Sequence, residues 1–329
     1  MRPPETLINF LRENDHFLII THLNPDGDAL GSSAALAMAL WKLNKKAILL
    51  CRDAVPEFYR FLPGNEQFHT FESILSSGLD ASEYKNLILA DCNDISRTGM
   101  EKSRLAHLTF ETTAVIDHHE TEKTFGDIRW IVPQVAATGM MVYYIVKELG
   151  IGISEEMAVN LYAAIVVDTG NFRFENTTAD VLSVAARLAE AGARPHVIHR
   201  ALNETWSEGR FKLFIKVLNT LEFHGTTVIS TITRKMFEET STSADDTENF
   251  VSFPYIMRNP QVSILLREID TNYYKVSLRS RGDLNVAKIA EAYGGGGHKN
   301  AAGCTVRGDR ARIKAELLDR LKRAANVPE

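Results

Sequence analysis

The sequence predicts an α/β fold, with an N-terminal doubly wound, mainly parallel sheet followed by a second, smaller α+β domain. Two observations lead there. Through the first half, short apolar runs rich in β-branched residues alternate with stretches of helical spacing, the pattern of strand–helix–strand units. Beyond a mixed, polar segment the pattern changes to strands with fewer helices between them. A chain of 329 residues, 45% hydrophobic and 24% charged, is long enough to bury two cores.

Residues 17–20, 47–50, 87–89 and 114–116 read as buried parallel strands because they are continuously apolar rather than alternating. Helices are expected over 29–43, 140–149 and 155–166, where apolar residues recur at spacings of three and four, and over 178–191, which Gly192 can terminate. The expected boundaries are a first domain over 1–192, a linker over 193–210 and a second domain over 211–329. That second part predicts a helix over 211–221 and strands at 227–232, 262–266 and 273–278. A helix over 283–293 starting near Asn285, a strand at 302–306 and a charged closing helix over 309–324 complete it.

The bulk numbers exclude several classes. No uncharged apolar stretch approaches the roughly 20 residues that span a bilayer, and no hydrophobic signal segment is present, so a cytoplasmic protein without membrane partners is expected. Cys51, Cys92 and Cys304 are far apart and form no CxxC pair, which argues against a disulfide framework and a thiolate metal site. The net charge of −5 hides an asymmetry: residues 1–205 carry 18 Lys+Arg against 27 Asp+Glu, and residues 206–329 carry 19 against 15. An acidic half that holds metal and a basic half that holds an anion would produce this split.

Four acidic clusters each close an apolar run: His22 with Asp26 and Asp28, then Asp91, then Asp117-His118-His119, then Asp168. Each alone has an ordinary explanation as a turn, a helix cap or a helix exit. Their coincidence points to a metal cage. Carboxylates at the carboxyl ends of neighbouring parallel strands face the crevice where open α/β sheets bind ligands, and without a counter-charge they repel. Mixed oxygen and imidazole donors without thiolate suit Mn²⁺ best, with Mg²⁺, Co²⁺ or Fe²⁺ as alternatives. Two such ions activate a water and neutralise a phosphate during in-line displacement, so phosphate-ester hydrolysis is the expected chemistry. In the second half Gly294 to Gly297, followed by His298 and preceded by Arg279 and Arg281, offers close backbone approach and charged donors for an anion. It is not a Walker A loop, since no GxxxxGK[ST] occurs.

These motifs resemble the DHH phosphoesterase superfamily, in the subfamily with a C-terminal DHHA1 domain, and the resemblance spans nearly the whole chain. It implies that His22, Asp26 and Asp91 hold one metal while Asp28, Asp91, His118 and Asp168 hold the other. It further implies that His119 faces the phosphate, that Asp117 supports it as the second member of the catalytic pair, and that Arg279, Arg281, Gly295, Gly296, Gly297 and His298 bind the substrate's other end. Size and layout are similar to the bifunctional oligoribonuclease and pAp phosphatase type, which implies two divalent ions, Mn²⁺ foremost, with short RNA oligonucleotides and pAp as substrates; a homodimer is left open as a partner state, because the sequence does not give the oligomeric state. Linear or cyclic dinucleotides and polyphosphate are the alternative substrates.

Overall fold

The computed structural model describes residues 1–103, 105–120, 125–204 and 206–325, and its contacts divide the chain into two units, 1–205 and 206–329. The first unit contains β1 (Phe17–Ile20), β2 (Ala47–Cys51), β3 (Phe68–Thr70), β4 (Asn86–Ala90), β5 (Thr112–Asp117) and β6 (Ile128–Ile131). Its helices are α1 (Glu5–Glu13), α2 (Gly27–Lys42), α3 (Ser73–Ser76), α4 (Thr138–Glu148), α5 (Glu155–Asp168), α6 (Ala179–Glu190) and α7 (Pro195–Asn203). All strands run parallel in the order β3-β2-β1-β4-β5-β6.

That order positions the site. From β1 the chain builds outward to β2 and β3, then returns to the other side of β1 with β4, so the connections after β1 and β4 leave in opposite directions. A crevice opens at their carboxyl ends, the usual ligand site of doubly wound sheets. Both faces are covered, which explains the unbroken apolar runs. Phe17 and Ile19 pack with α1, α2, α4 and α5, whereas Leu18 and Ile20 pack against Phe71, Ile74, Tyr84 and Leu105. The edge strands β3 and β6 were not legible as strands, because they are short and carry His69 and Arg129 among half-buried neighbours.

Helix α2 begins at the crevice because Asp26 caps it, its Oδ1 accepting from the amides of Asp28 and Ala29 at 3.0 Å each. Gly31 lets α2 lie directly on α5, since a Cβ there would sit 2.4 Å from the Asn160 carbonyl oxygen. Gly31→Ala is therefore expected to destabilise the protein by about 1–3 kcal/mol, read as a lower denaturant midpoint. It would also push α2, which carries Asp28, away from α5, which ends at Asp168.

Where a linker was expected over 193–210, residues 195–203 instead form α7, with Ile198 in the first core. One anchoring residue in a short helix left little apolar pattern to read.

The second unit contains α8 (Glu208–Leu218), β7 (Glu222–His224), β8 (Thr227–Ile232), α9 (Arg234–Thr240), β9 (Val262–Asp270), β10 (Tyr273–Ser280), α10 (Val286–Glu291), β11 (Gly296–His298), β12 (Ala301–Arg307) and α11 (Arg310–Ala325). The sheet order is β11-β12-β10-β9-β8-β7, with β8 and β9 parallel and the other neighbours antiparallel. One face packs on α10 and α11 through Val276, Leu278, Ile289 and Leu317, and the other on α8 through Leu265, Leu213 and Phe214. No helix among the described residues is long and apolar enough to cross a membrane.

Candidate metal centre

The crevice gathers every acidic cluster of the first half. His22, Asp26 and Asp91 offer ligand atoms within 4.8 Å of one another, as do Asp28, His118 and Asp168, and also Asp91, His118 and His119. They arrive from five places: the β1–α2 connection, the α2 first turn, the ends of β4 and β5, and the last residue of α5. Asp91 leaves β4 in a left-handed conformation, φ +57°, unusual for a residue with a Cβ. Its amide is tied to the Ile116 carbonyl at 2.9 Å.

Asp91 stands between two histidines. Its Oδ2 lies 3.5 Å from His22 Nε2 and its Oδ1 3.5 Å from His118 Nε2. In each histidine Nδ1 meets a backbone carbonyl, Leu23 at 2.7 Å for His22 and Val135 at 3.0 Å for His118. A carbonyl only accepts, so Nδ1 carries a proton and Nε2 is the ring atom turned to the carboxylates, free to bind a cation once it gives up its own proton. Metal-ligating imidazoles are held in this way.

Asp28 and Asp91 are buried, and no lysine or arginine bonds to them among the described residues. Burial and the charges of Asp91 and Asp168 hold the Asp28 carboxyl well above the usual range. Burial raises Asp168 too, opposed by its contact with His118. Burial alone would lower the His118 pKa, but Asp168 and Asp91 push it up to about 9. His118 Nε2 is buried 3.0 Å from Asp168 Oδ2, yet the geometry makes no hydrogen bond. Two ligands of one cation stand in that relation. An oxygen and imidazole donor set with surplus negative charge therefore fits divalent metal.

Asp117 ends β5 fully buried. Its Oδ1 accepts from the amides of His118 at 2.8 Å and His119 at 3.1 Å and from His119 Nδ1 at 2.8 Å. The His119 side chain, 40% exposed, is thus held through Nδ1, and its Nε2 has no partner among the described residues.

Residues 16–167 match the family described as "DHH family, N-terminal domain", and residues 225–326 match the "DHHA1 domain". A Thermus thermophilus protein named bifunctional oligoribonuclease and PAP phosphatase NrnA is 35% identical, over 88% of this chain and 84% of its own. The chain belongs to the DHH family. A Bacillus subtilis protein of the same name is 26% identical, over 91% of this chain and 92% of its own. The crystal structure of an exopolyphosphatase-related protein from Bacteroides fragilis superposes with a TM-score of 0.86 at 25% identity, covering 96% of this chain and 94% of that one. This DHH protein is a phosphoesterase, a hydrolase.

The DHHA1 residues singled out in the sequence lie in the second unit. Arg279 of β10 pairs with Ala301, and Ala301 pairs with His298, so backbone register aligns the three in one row. The side chain of His298 lies outside the described residues. Arg279 donates to the Leu278 carbonyl at 3.0 Å, and Arg281 donates to the Tyr255 carbonyl at 2.8 Å with its guanidinium 4.5 Å from the Tyr255 ring centroid. In the glycine run a Cβ on Gly295 would lie 2.2 Å from the Gly303 oxygen, and one on Gly297, at φ +146°, 2.4 Å from the Ala301 oxygen. These two glycines are thus required by close strand packing, while Gly296 faces open space.

Sequence reasoning missed Thr138 and Gly139. Their amides donate to Asp28 Oδ2 at 2.6 Å and Oδ1 at 2.8 Å, and the Thr138 hydroxyl donates to Asp91 Oδ1 at 2.9 Å. The start of α4 thus holds two candidate ligands at once. The small residues of Ala136-Ala137-Thr138-Gly139 were the available signal. Thr138→Val should keep the fold and weaken metal affinity about 10–100-fold, as titration calorimetry would measure.

Proposed function

We propose that this DHH phosphoesterase is a Mn²⁺-dependent hydrolase that degrades short oligoribonucleotides and dephosphorylates pAp. The observation that carries the reading is Asp91, whose two oxygens face separate histidines, as a carboxylate shared by two cations would. His22, Asp26 and Asp91 would hold one ion, and Asp28, Asp91, His118 and Asp168 the other. Two divalent ions held there would supply an activated water and offset phosphate charge. The chain's own part is to keep both Nε2 lone pairs on the metal side, hold Asp28 with the α4 amides, and aim His119.

His119, its Nδ1 proton held by Asp117, would present Nε2 to a phosphate oxygen or to the departing oxygen. Arg279, Arg281, Gly295, Gly296, Gly297 and His298 would bind the substrate's far end. The Thermus and Bacillus relatives support the RNA and pAp assignment through their names. The mixed carboxylate and imidazole donors support manganese, with Mg²⁺, Co²⁺ or Fe²⁺ as alternatives.

The name of the Bacteroides fragilis relative favours polyphosphate as a second reading. One preparation assayed on pAp, a 5′-phosphorylated diribonucleotide, cyclic di-AMP and polyphosphate tests both. Turnover of pAp and the dinucleotide above polyphosphate is expected, and the reverse order would replace the proposal.

A further inference from the structure

The second unit carries a cleft of about 1290 Å³ that lies apart from the Arg279 row. Along β10 the residues Tyr274, Val276, Leu278 and Ser280 are buried, the first three in the α10–α11 core, which puts Arg279 on the opposite face. The cleft is on the helix side, lined by Asn285 and Lys288 around α10, Leu318, Leu321 and Lys322 of α11, and Lys299.

Its charge is one-sided. Lys288, Lys299 and Lys322 line it together with Arg281, the one member of the proposed substrate set that borders it, against the single carboxylate of Asp283. Arg281 is already engaged with Tyr255, and Lys299 pairs with Asp283 at 3.0 Å, where that carboxylate side chain is 96% exposed. Lys288 and Lys322 have no carboxylate partner among the described residues. Ammonium groups collected around one concavity without counter-charge repel one another and raise the local concentration of anions. The Asn285 Oδ1 is occupied by the amides of Ala287 and Lys288, so its NH₂ is left as a further donor.

The rest of the lining mixes polar side chains, His224, Thr226, Thr227 and Gln261, with apolar ones, of which Leu284 and Leu318 are partly exposed while Val262 and Leu321 are buried beneath them. A bare phosphate would leave this surface in water, whereas a nucleobase would cover it while its phosphate reached the lysines. The volume exceeds what a mononucleotide needs and is typical of small-molecule clefts or somewhat larger.

We propose that the cleft between α10 and α11 is a second nucleoside-phosphate site, separate from the reacting centre. A free nucleotide would bind there whichever phosphate ester the metal centre hydrolyses, whereas the oligomer source rests on the oligoribonucleotide reading above. The ligand is either a free nucleotide or the far nucleotides of an oligomer.

The test uses the full-length, metal-loaded protein and a Lys288→Glu/Lys322→Glu variant, both substitutions being on exposed positions. Calorimetric titration with AMP should show two sites in the unaltered protein, one of them weakened roughly tenfold or more in the variant, with turnover of pAp retained. Identical AMP isotherms for the two proteins would overturn the proposal. So would a parallel fall in pAp turnover, which would make the cleft part of the reacting site, or inorganic phosphate binding as tightly as AMP. The source is read from RNA length: loss of kcat/KM on a pentamer but not a dimer assigns the cleft to the oligomer. Equal kcat/KM on both, with AMP binding lost, assigns it to a free nucleotide.

Discussion

Asp91→Ala is expected to lower the proposed hydrolysis of pAp and of short RNA by more than the roughly 10³-fold that removing one oxyanion-stabilising donor costs elsewhere. The reason is that one side chain would serve two ligand sets. Truncation removes the oxygen facing His22 and the oxygen facing His118 together, so elemental analysis should find fewer than the two metals per chain expected for the unaltered protein. Asp91 is 1% exposed, and a fold control is needed. Asp91→Asn keeps the shape, removes one negative charge from a crowded cluster, and should remain folded by circular dichroism while losing metal and activity. Full manganese-dependent turnover in either variant would remove the shared-carboxylate reading.

The second large effect is expected at Asp117, which stands in neither proposed ligand set and meets one member, His118, only through its backbone amide. Asp117→Asn keeps an oxygen for the two backbone amides but withdraws the charge that holds the His119 ring. In serine proteases the equivalent loss of a buried carboxylate behind a catalytic imidazole costs about 10⁴ in kcat through the wrong tautomer. Here metals would share the electrostatic task, so a fall in kcat of about 10²-fold or more is expected, with KM and metal content little changed. A double-mutant cycle separates positioning from general support: in a His119→Ala background, Asp117→Asn should add little further loss. Additive losses would show that Asp117 acts through something other than His119.

Much of the site was legible because its residues sit at element ends, where an apolar run stops at an Asp or His. Residues 17–20, 87–89 and 114–116 lie in strands whose carboxyl ends lead to His22, Asp91 and His118, whereas 47–50 leads to no candidate ligand and Asp168 ends a helix. What escaped was support that comes from distant main chain. Nothing local to Asp28 announces that amides 110 and 111 positions later will bond it. The carbonyls of Leu23 and Val135 that set the histidine tautomers are equally invisible, since any residue has one. The glycine run shows the opposite difficulty. Close strand packing and an anion cradle both demand absent side chains, so the letters alone could not distinguish Gly295 and Gly297 from an anion loop.

The crowding of Asp28, Asp91 and Asp168 has a consequence for the protein's lifetime. Asp28 keeps its proton well beyond the normal range because it is buried and because ionising beside Asp91 and Asp168 is unfavourable, and that cost of ionising loosens the metal-free fold around neutral pH, easing only as acid protonates the cluster. Cations that bind the folded chain alone would reverse this, adding about 2.7 kcal/mol when free metal stands at 100 times its dissociation constant. A chain newly made in metal-poor surroundings would spend more time open to proteolysis than a loaded one. Abundance, and not only activity, would then follow metal supply, with the acidic crevice acting as its own quality check.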